Sequence, residues 1–164
     1  MVIEVDDSGW GDLVGGVVIV LRRVETGEDY SGEIPLELFQ GTEFKYKGYL
    51  RSTTQIIREG LDRLNASTDE AIHICTGYVF THAKDTLIEL GYPVTEVKIV
   101  DATQDLAEHR FIESLVKMGL GSKPELFGMR SFNGWLKWVK QDLEHREKYV
   151  KTGWGNWPKH RDEK

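Results

Sequence analysis

The sequence predicts one α/β domain built on a mixed sheet, three antiparallel strands first and parallel strands after them, flanked by helices. Three observations carry this. The N-terminal third alternates β-rich runs with glycine-containing turns. The apolar period then changes from two residues to 3.6, and short apolar runs alternate with helical stripes from there on.

Val2 to Asp6 alternates apolar and polar side chains, as a half-buried strand does. After Asp7-Ser8-Gly9-Trp10-Gly11, a β-branched run from Val14 to Val24 completes a hairpin. Beyond the turn signal Glu25-Thr26-Gly27-Glu28-Asp29, Tyr30 to Phe39 reads as a third strand, with Pro35 at an edge or a bulge. Ser52-Thr53-Thr54-Gln55 has the form of a capping box, and Ile56, Ile57, Leu61 and Leu64 follow at helical spacing. Ala71 to Thr76 is a compact apolar strand. Val79 to Leu90 is helical, stopped by Gly91 with Pro93 beyond, and Val94 to Val100 is again a strand. A strand-helix-strand unit pairs its strands in parallel by a right-handed crossover, so these two strands extend the sheet beside the first. Leu106, Phe111, Ile112, Leu115 and Val116 form one further stripe and Phe132, Trp135, Leu136, Val139 and Leu143 another, with Gly119 to Gly128 as a loop between them.

A length of 164 residues suits one domain, and 40% hydrophobic with 29% charged residues excludes disordered and coiled-coil classes. The longest apolar run, Val17 to Leu21, is far short of the ~20 residues that span a bilayer, and Met1 leads straight into a strand. The expectation is a cytoplasmic protein with no membrane partner. Cys75 is the single cysteine, which rules out an internal disulfide or a cysteine-rich zinc site. Any metal would be held mainly by oxygen or imidazole, which points to Mg or Mn.

The net charge of −6 disfavours wholesale coating of nucleic acid. The distribution is uneven: residues 137–164 hold 8 basic and 5 acidic side chains, a basic end on an acidic body. This divides the chain into a domain over 1–150 and a basic, tryptophan-bearing tail over 151–164. Trp154 and Trp157, interleaved with Lys148, Lys151, Lys159 and Arg161, suit base stacking with phosphate neutralisation, or else fold back as apolar anchors.

Asp6 and Asp7 end the first strand, and Asp101 ends the last. If those strands lie side by side, their C-terminal ends converge and the carboxylates can face one cation, which relieves their mutual repulsion. Asp105, Glu108 and His109 follow Asp101 at spacings that permit a further ligand or a water-orienting group. Each acid also has a plain structural reading: Asp6 and Asp7 as turn residues, Asp101 as a helix cap, Asp105 and Glu108 as first-turn charges. Cys75 and His73 on their apolar strand read as structural.

Val5-Asp6-Asp7-Ser8-Gly9-Trp10-Gly11, followed by Val14-Gly15-Gly16-Val17-Val18, resembles the opening signature of the ribonuclease HII family, Asp-Glu-Ala-Gly-Arg-Gly before a β run. The resemblance carries over at Asp6, Asp7, Gly9 and Gly11, while Ser8 and Trp10 replace the family's alanine and arginine. Val100-Asp101-Ala102-Thr103-Gln104-Asp105, with Glu108-His109-Arg110-Phe111 behind it, is similar to a family segment whose aspartate binds metal. Gly153-Trp154-Gly155-Asn156-Trp157-Pro158 is similar to the family's Gly-x-Gly-Tyr-Pro element, with Trp157 in the tyrosine's place. The family's ligand element before the last helix is replaced by Lys123 to Ser131, where Glu125 alone supplies a charge, and its basic Asp-Ser-Lys-Lys element by Gly48-Tyr49-Leu50-Arg51. In the general ribonuclease H order a carboxylate stands on the fourth strand, which here ends Cys75-Thr76-Gly77.

The resemblance implies a ribonuclease H-like fold and a divalent-metal-dependent nuclease acting on RNA or an RNA-DNA hybrid. In it Asp6, Asp7, Asp101 and Asp105 carry catalysis, Asp6, Asp7, Asp101 and Glu125 bind metal, and Gly9, Gly11, Arg51, Trp154, Trp157, Lys159 and Arg161 bind nucleic acid. The alternative is a catalytically inactive module of the same fold that binds nucleic acid or a protein partner.

Overall fold

The computed structural model describes residues 1–163; Lys164, the last residue of the expected tail, lies outside them. Strands β1 (Val2–Ser8), β2 (Val17–Arg23), β3 (Asp29–Ile34), β4 (Ala71–Ile74) and β5 (Val94–Glu96) form one sheet in the order β3-β2-β1-β4-β5. β3, β2 and β1 are antiparallel neighbours, whereas β4 runs parallel to β1 and β5 parallel to β4. This is the layout expected of a ribonuclease H-like sheet. Helices α1 (Gly48–Arg63) and α2 (Thr81–Glu89) cover one face. The other face is covered by α3 (Asp101–Lys117), with α4 (Lys123–Met129) and α5 (Phe132–Gln141) beyond it, followed by the short α6 (Leu143–Arg146) and α7 (Trp157–Asp162).

Strand alternation divides the core. Val17, Ile19 and Leu21 of β2 join Ile3, Val5, Ile72 and Ile74 under α1 and α2. Val18 and Val20 point to the opposite face, where they meet Phe111, Ile112 and Leu115 of α3 and Trp135 of α5. β2 is therefore apolar on both faces, and its uninterrupted run Val17 to Leu21 is the sequence trace of a central strand. Charged side chains also enter the core, Arg23 among them. Its guanidinium bonds Glu70 (Nε to Oε1, 2.7 Å; Nη2 to Oε2, 3.1 Å) and the Leu64 carbonyl (2.8 Å), so a buried charge is paired on several sides.

Several boundaries differ from the sequence reading. Pro35 ends β3, and Leu36–Phe39 is a 3-10 turn rather than more strand. α1 begins at Gly48, which places Ser52 to Gln55 inside the helix: Thr53 and Thr54 donate their hydroxyls to the carbonyls of Tyr49 and Leu50 instead of capping. The expected loop at 119–128 contains α4, capped by the Ser122 side chain with Pro124 in its first turn. β5 has three residues, extended by one bond from Val97 N–H to the Ile74 carbonyl, because its partner β4 itself ends at Ile74.

The segment after α6 is packed into the domain. Val150 bridges Val14, Gly15 N–H donates to the Tyr149 carbonyl, and Lys151 N–H donates to the Leu13 carbonyl. The fold gives no boundary at residue 151, since Lys151 is fully buried and Trp157 is 3% exposed.

Candidate functional site: an acidic rim at the end of the central strand

β1 outruns β4. Their register ends at Val5 opposite Ile74, with a last bond from Cys75 N–H to the Val5 carbonyl, while β1 continues beside β2 to Ser8. Asp6, Asp7 and Ser8 thus stand beyond the end of β4, where the sheet opens to an unfilled rim. Adjacent strand residues point to opposite faces, yet here both carboxylates reach the gap left by β4. Oxygens of Asp6 and Asp7 and the Cys75 sulfur lie within 4.8 Å of one another. Glu108 and Gln104 of α3, Lys98 and Arg130 line the same open pocket, about 380 Å³ in volume, with Trp10 and Thr76.

The electrostatics follow from this crowding. Burial raises the Asp6 carboxyl above its ordinary value; hydrogen bonds from the Asp7 backbone and Cys75 offset part of that, and the charges of Glu108 and Glu4 add to it. Burial, and then the Asp6 charge, push Asp7 up to about 7, against the pull of Arg130. Burial and Asp6 likewise raise the Cys75 thiol. A cluster that opposes its own ionisation in this way gains most from a cation.

The turn that carries these acids is held rigidly. Gly9 has φ +107°, and a Cβ there would lie 2.5 Å from the Phe111 ring, so the close approach of α3 requires glycine. Asp12 accepts from Arg130 Nε and Trp135 Nε1, both at 3.0 Å, and Arg130 Nη2 donates to Ser8 Oγ at 2.6 Å. The Lys151 ammonium donates to the Asp12 carbonyl at 2.5 Å and the Val14 carbonyl at 3.2 Å. Burial brings this lysine down to about 7, with the Asp12 charge acting the other way. Arg130 is thereby fixed with one face over Phe111, 4.8 Å from the ring centroid, and its edge in the pocket.

Asp101 does not share this rim. β5 is separated from β1 by β4, so the two strand ends are not neighbours. α3 then runs alongside β1: Thr103 Oγ1 donates to Glu4 at 2.6 Å, and Phe111 sits against Gly9. Glu108 reaches the level of Asp6, and Asp101, seven residues earlier, is ~10 Å back along the helix axis. Asp101 and Asp105 are exposed outside the pocket, and the Asp105 carbonyl faces His109 Nδ1 at 2.8 Å. Glu125 caps α4 with Ser122 (Oγ to Oε1, 2.8 Å) and is also outside the pocket.

Of the residues expected to touch nucleic acid, Gly9 and Gly11 line the pocket, while Arg51 lies on the exposed side of α1. Trp157 is buried, with Nε1 donating to Glu147 at 2.9 Å, and Trp154 is half-buried with Lys151 Nζ 5.8 Å from its ring. They are the anchors of the structural reading. Lys159 is exposed, and Arg161 faces Glu147 and Asp162. Sequence reasoning does not select Asp12, Arg130, Lys98 or Lys151 as residues of this site. For Asp12 a signal exists, since it follows the twin-glycine turn directly; Arg130 is close to the acids only through the fold.

No protein-family model matches the chain, and no curated protein is similar to it. The functional reading therefore stands on the fold and on the acidic rim.

Proposed function

We propose that the protein is a cytoplasmic, divalent-cation-dependent nuclease of ribonuclease H-like type that hydrolyses phosphodiester bonds in RNA or an RNA-DNA hybrid. The observation that carries this reading is the convergence of Asp6 and Asp7, their oxygens within 4.8 Å of one another, where β1 projects past β4, with Glu108 on the same pocket wall. The donor set fits a Mg or Mn ion through the two carboxylates, while Cys75, its thiol raised by burial and Asp6, adds no ligand for either. A bound cation would activate water and neutralise the charge that develops on phosphate oxygens. Asp6 and Asp7 would hold it from the strand, and Glu108, on the pocket wall, would orient a water toward it. Arg130, fixed by Asp12 and Ser8, would orient a phosphate at the pocket mouth. Lys98 adds a second positive charge to the pocket lining.

One observation favours a second reading, an inactive module that binds nucleic acid: Cys75 stands at the fourth-strand position where the ribonuclease H order places a carboxylate. A single experiment separates the two. Labelled RNA-DNA hybrid and single-stranded RNA are incubated with Mn or Mg and with wild type, Asp6→Asn, Glu108→Gln and Asp101→Asn. Cleavage by wild type and Asp101→Asn, lost in the other two, supports the nuclease. Absence of metal-dependent cleavage at enzyme excess removes it and leaves the binding module.

A further inference from the structure

A second surface adjoins the acidic rim, and its chemistry is the reverse of the rim's. Residues 44–58 contain four basic side chains, Lys45, Lys47, Arg51 and Arg58, and no acidic one, in a chain of net charge −6. Among the described residues none of the four forms an ion pair with a carboxylate. Aromatic rings link this stretch to the pocket. Trp10, on the pocket wall, lies 5.3 Å from Tyr49 and 6.4 Å from Tyr78 between ring centroids. Tyr78 is 46% exposed and Tyr46 63% exposed. Lys47 Nζ is 5.5 Å from the Tyr78 ring and Lys45 Nζ 5.2 Å from the Tyr46 ring.

We infer that this surface is a binding track for single-stranded nucleic acid, leading from the start of α1 across Tyr78 and Trp10 into the acidic rim. Two features select that ligand. Cations held in no ion pair match phosphates, although Arg51 and Arg58 share a groove with Glu59 and Asp62, and Lys45 and Lys47 each stand beside an exposed ring that can stack on a base. An acidic peptide would use the cations and leave the rings idle. The C-terminal segment offers no such combination, because Trp157 and Lys151 are buried and Arg161 is already faced by two acids. The track rests on the nuclease reading only for what happens at its end.

The test is fluorescence anisotropy with a labelled single-stranded RNA and the same DNA sequence, over a salt series in EDTA so that no cleavage intervenes. The proteins are wild type, Lys45→Glu/Arg51→Glu, Tyr78→Ala and, as control, Lys159→Glu/Arg161→Glu, each checked by circular dichroism melting. Wild type should bind with salt-dependent affinity. Lys45→Glu/Arg51→Glu should weaken binding at least tenfold and make the log-log salt slope about 1.4 shallower, at ~0.7 for each single-strand phosphate that is no longer neutralised. Tyr78→Ala should weaken it at least fivefold with the slope unchanged. The control should stay within twofold. The track is overturned if wild type binds neither strand, if both track variants bind like wild type, if the control loses as much as they do, or if polyglutamate displaces the strand while Tyr78→Ala has no effect. Tight binding by the track without cleavage in Mn would retire the nuclease and keep the track; cleavage with unaffected track variants would do the opposite.

Discussion

Replacing Asp7 by asparagine removes the carboxyl whose ionisation the fold opposes most. Burial and the Asp6 charge raise it from 3.8 to about 7. At ~1.4 kcal/mol per tenfold change in the proton equilibrium, ionising it in the native protein costs up to ~4 kcal/mol more than in the unfolded chain. Between about pH 4 and pH 7 the native state keeps a proton that the unfolded chain has released, so this group makes stability fall as pH rises through that window and leaves it level above. Asparagine has the same shape and no charge to desolvate. In EDTA the variant should be ~2–4 kcal/mol more stable than wild type at pH 8 and nearly equal to it at pH 4. Urea unfolding followed by tryptophan fluorescence at pH 4, 6 and 8 measures the difference. Adding Mn at pH 8 should raise the melting temperature of wild type and leave Asp7→Asn unmoved, since a ligand stabilises only the state that binds it. A difference between the two proteins that stays constant from pH 4 to pH 8 would refute the electrostatic account of the rim.

Gly9→Ala combines a positive φ with a Cβ 2.5 Å from Phe111, and should destabilise by ~2–4 kcal/mol in the same unfolding assay. Glu70→Gln leaves the buried Arg23 with Glu28, at 3.0 Å, as its remaining carboxylate partner, and should cost ~2–3 kcal/mol at pH 7. Arg23 holds the Glu70 carboxyl below its ordinary value, so that pair's contribution disappears as pH falls through the acid range and the variant should approach wild type there. Lys151 is lowered to about 7, so the unfolded chain binds the extra proton between pH 7 and the ordinary lysine value of 10.5. Its contribution to stability rises with pH across that window, and Lys151→Met should flatten the pH profile measured from pH 7 to 10.

That a parallel pair extends the sheet beside β1 is legible from the helical crossover, and β2 as a central strand from its two apolar faces; which strand of the pair neighbours β1 is not, and the fold puts β4 there. The Asp6-Asp7 pair is legible as a strand end beside a glycine turn. Asp101 misleads because Val94 to Val100 is apolar enough to read as one strand, whereas pairing ends at Val97 and Asp101 opens α3, two turns before the helix reaches the level of Asp6. Glu108 enters as one of several helical spacings; only the direction of α3 along β1 selects it over Asp105. Lys151 reads as a surface cation because lysine almost never enters a core, and nothing local announces that two main-chain carbonyls receive it. Arg130 reaches Asp12 across 118 positions of chain, a proximity that no short motif encodes.

The clasp between Lys151 and the Asp12 carbonyl joins residues 139 positions apart. A ribosome releasing this chain from its N-terminal end sets out the β1–β2 hairpin early, yet the loop bearing the acids lacks its latch until residues 149–151 have emerged. Loop closure of that span is slow compared with hairpin formation. The β1–β2 loop is therefore finished late, so a nascent chain holds the acids before the turn beside them is latched.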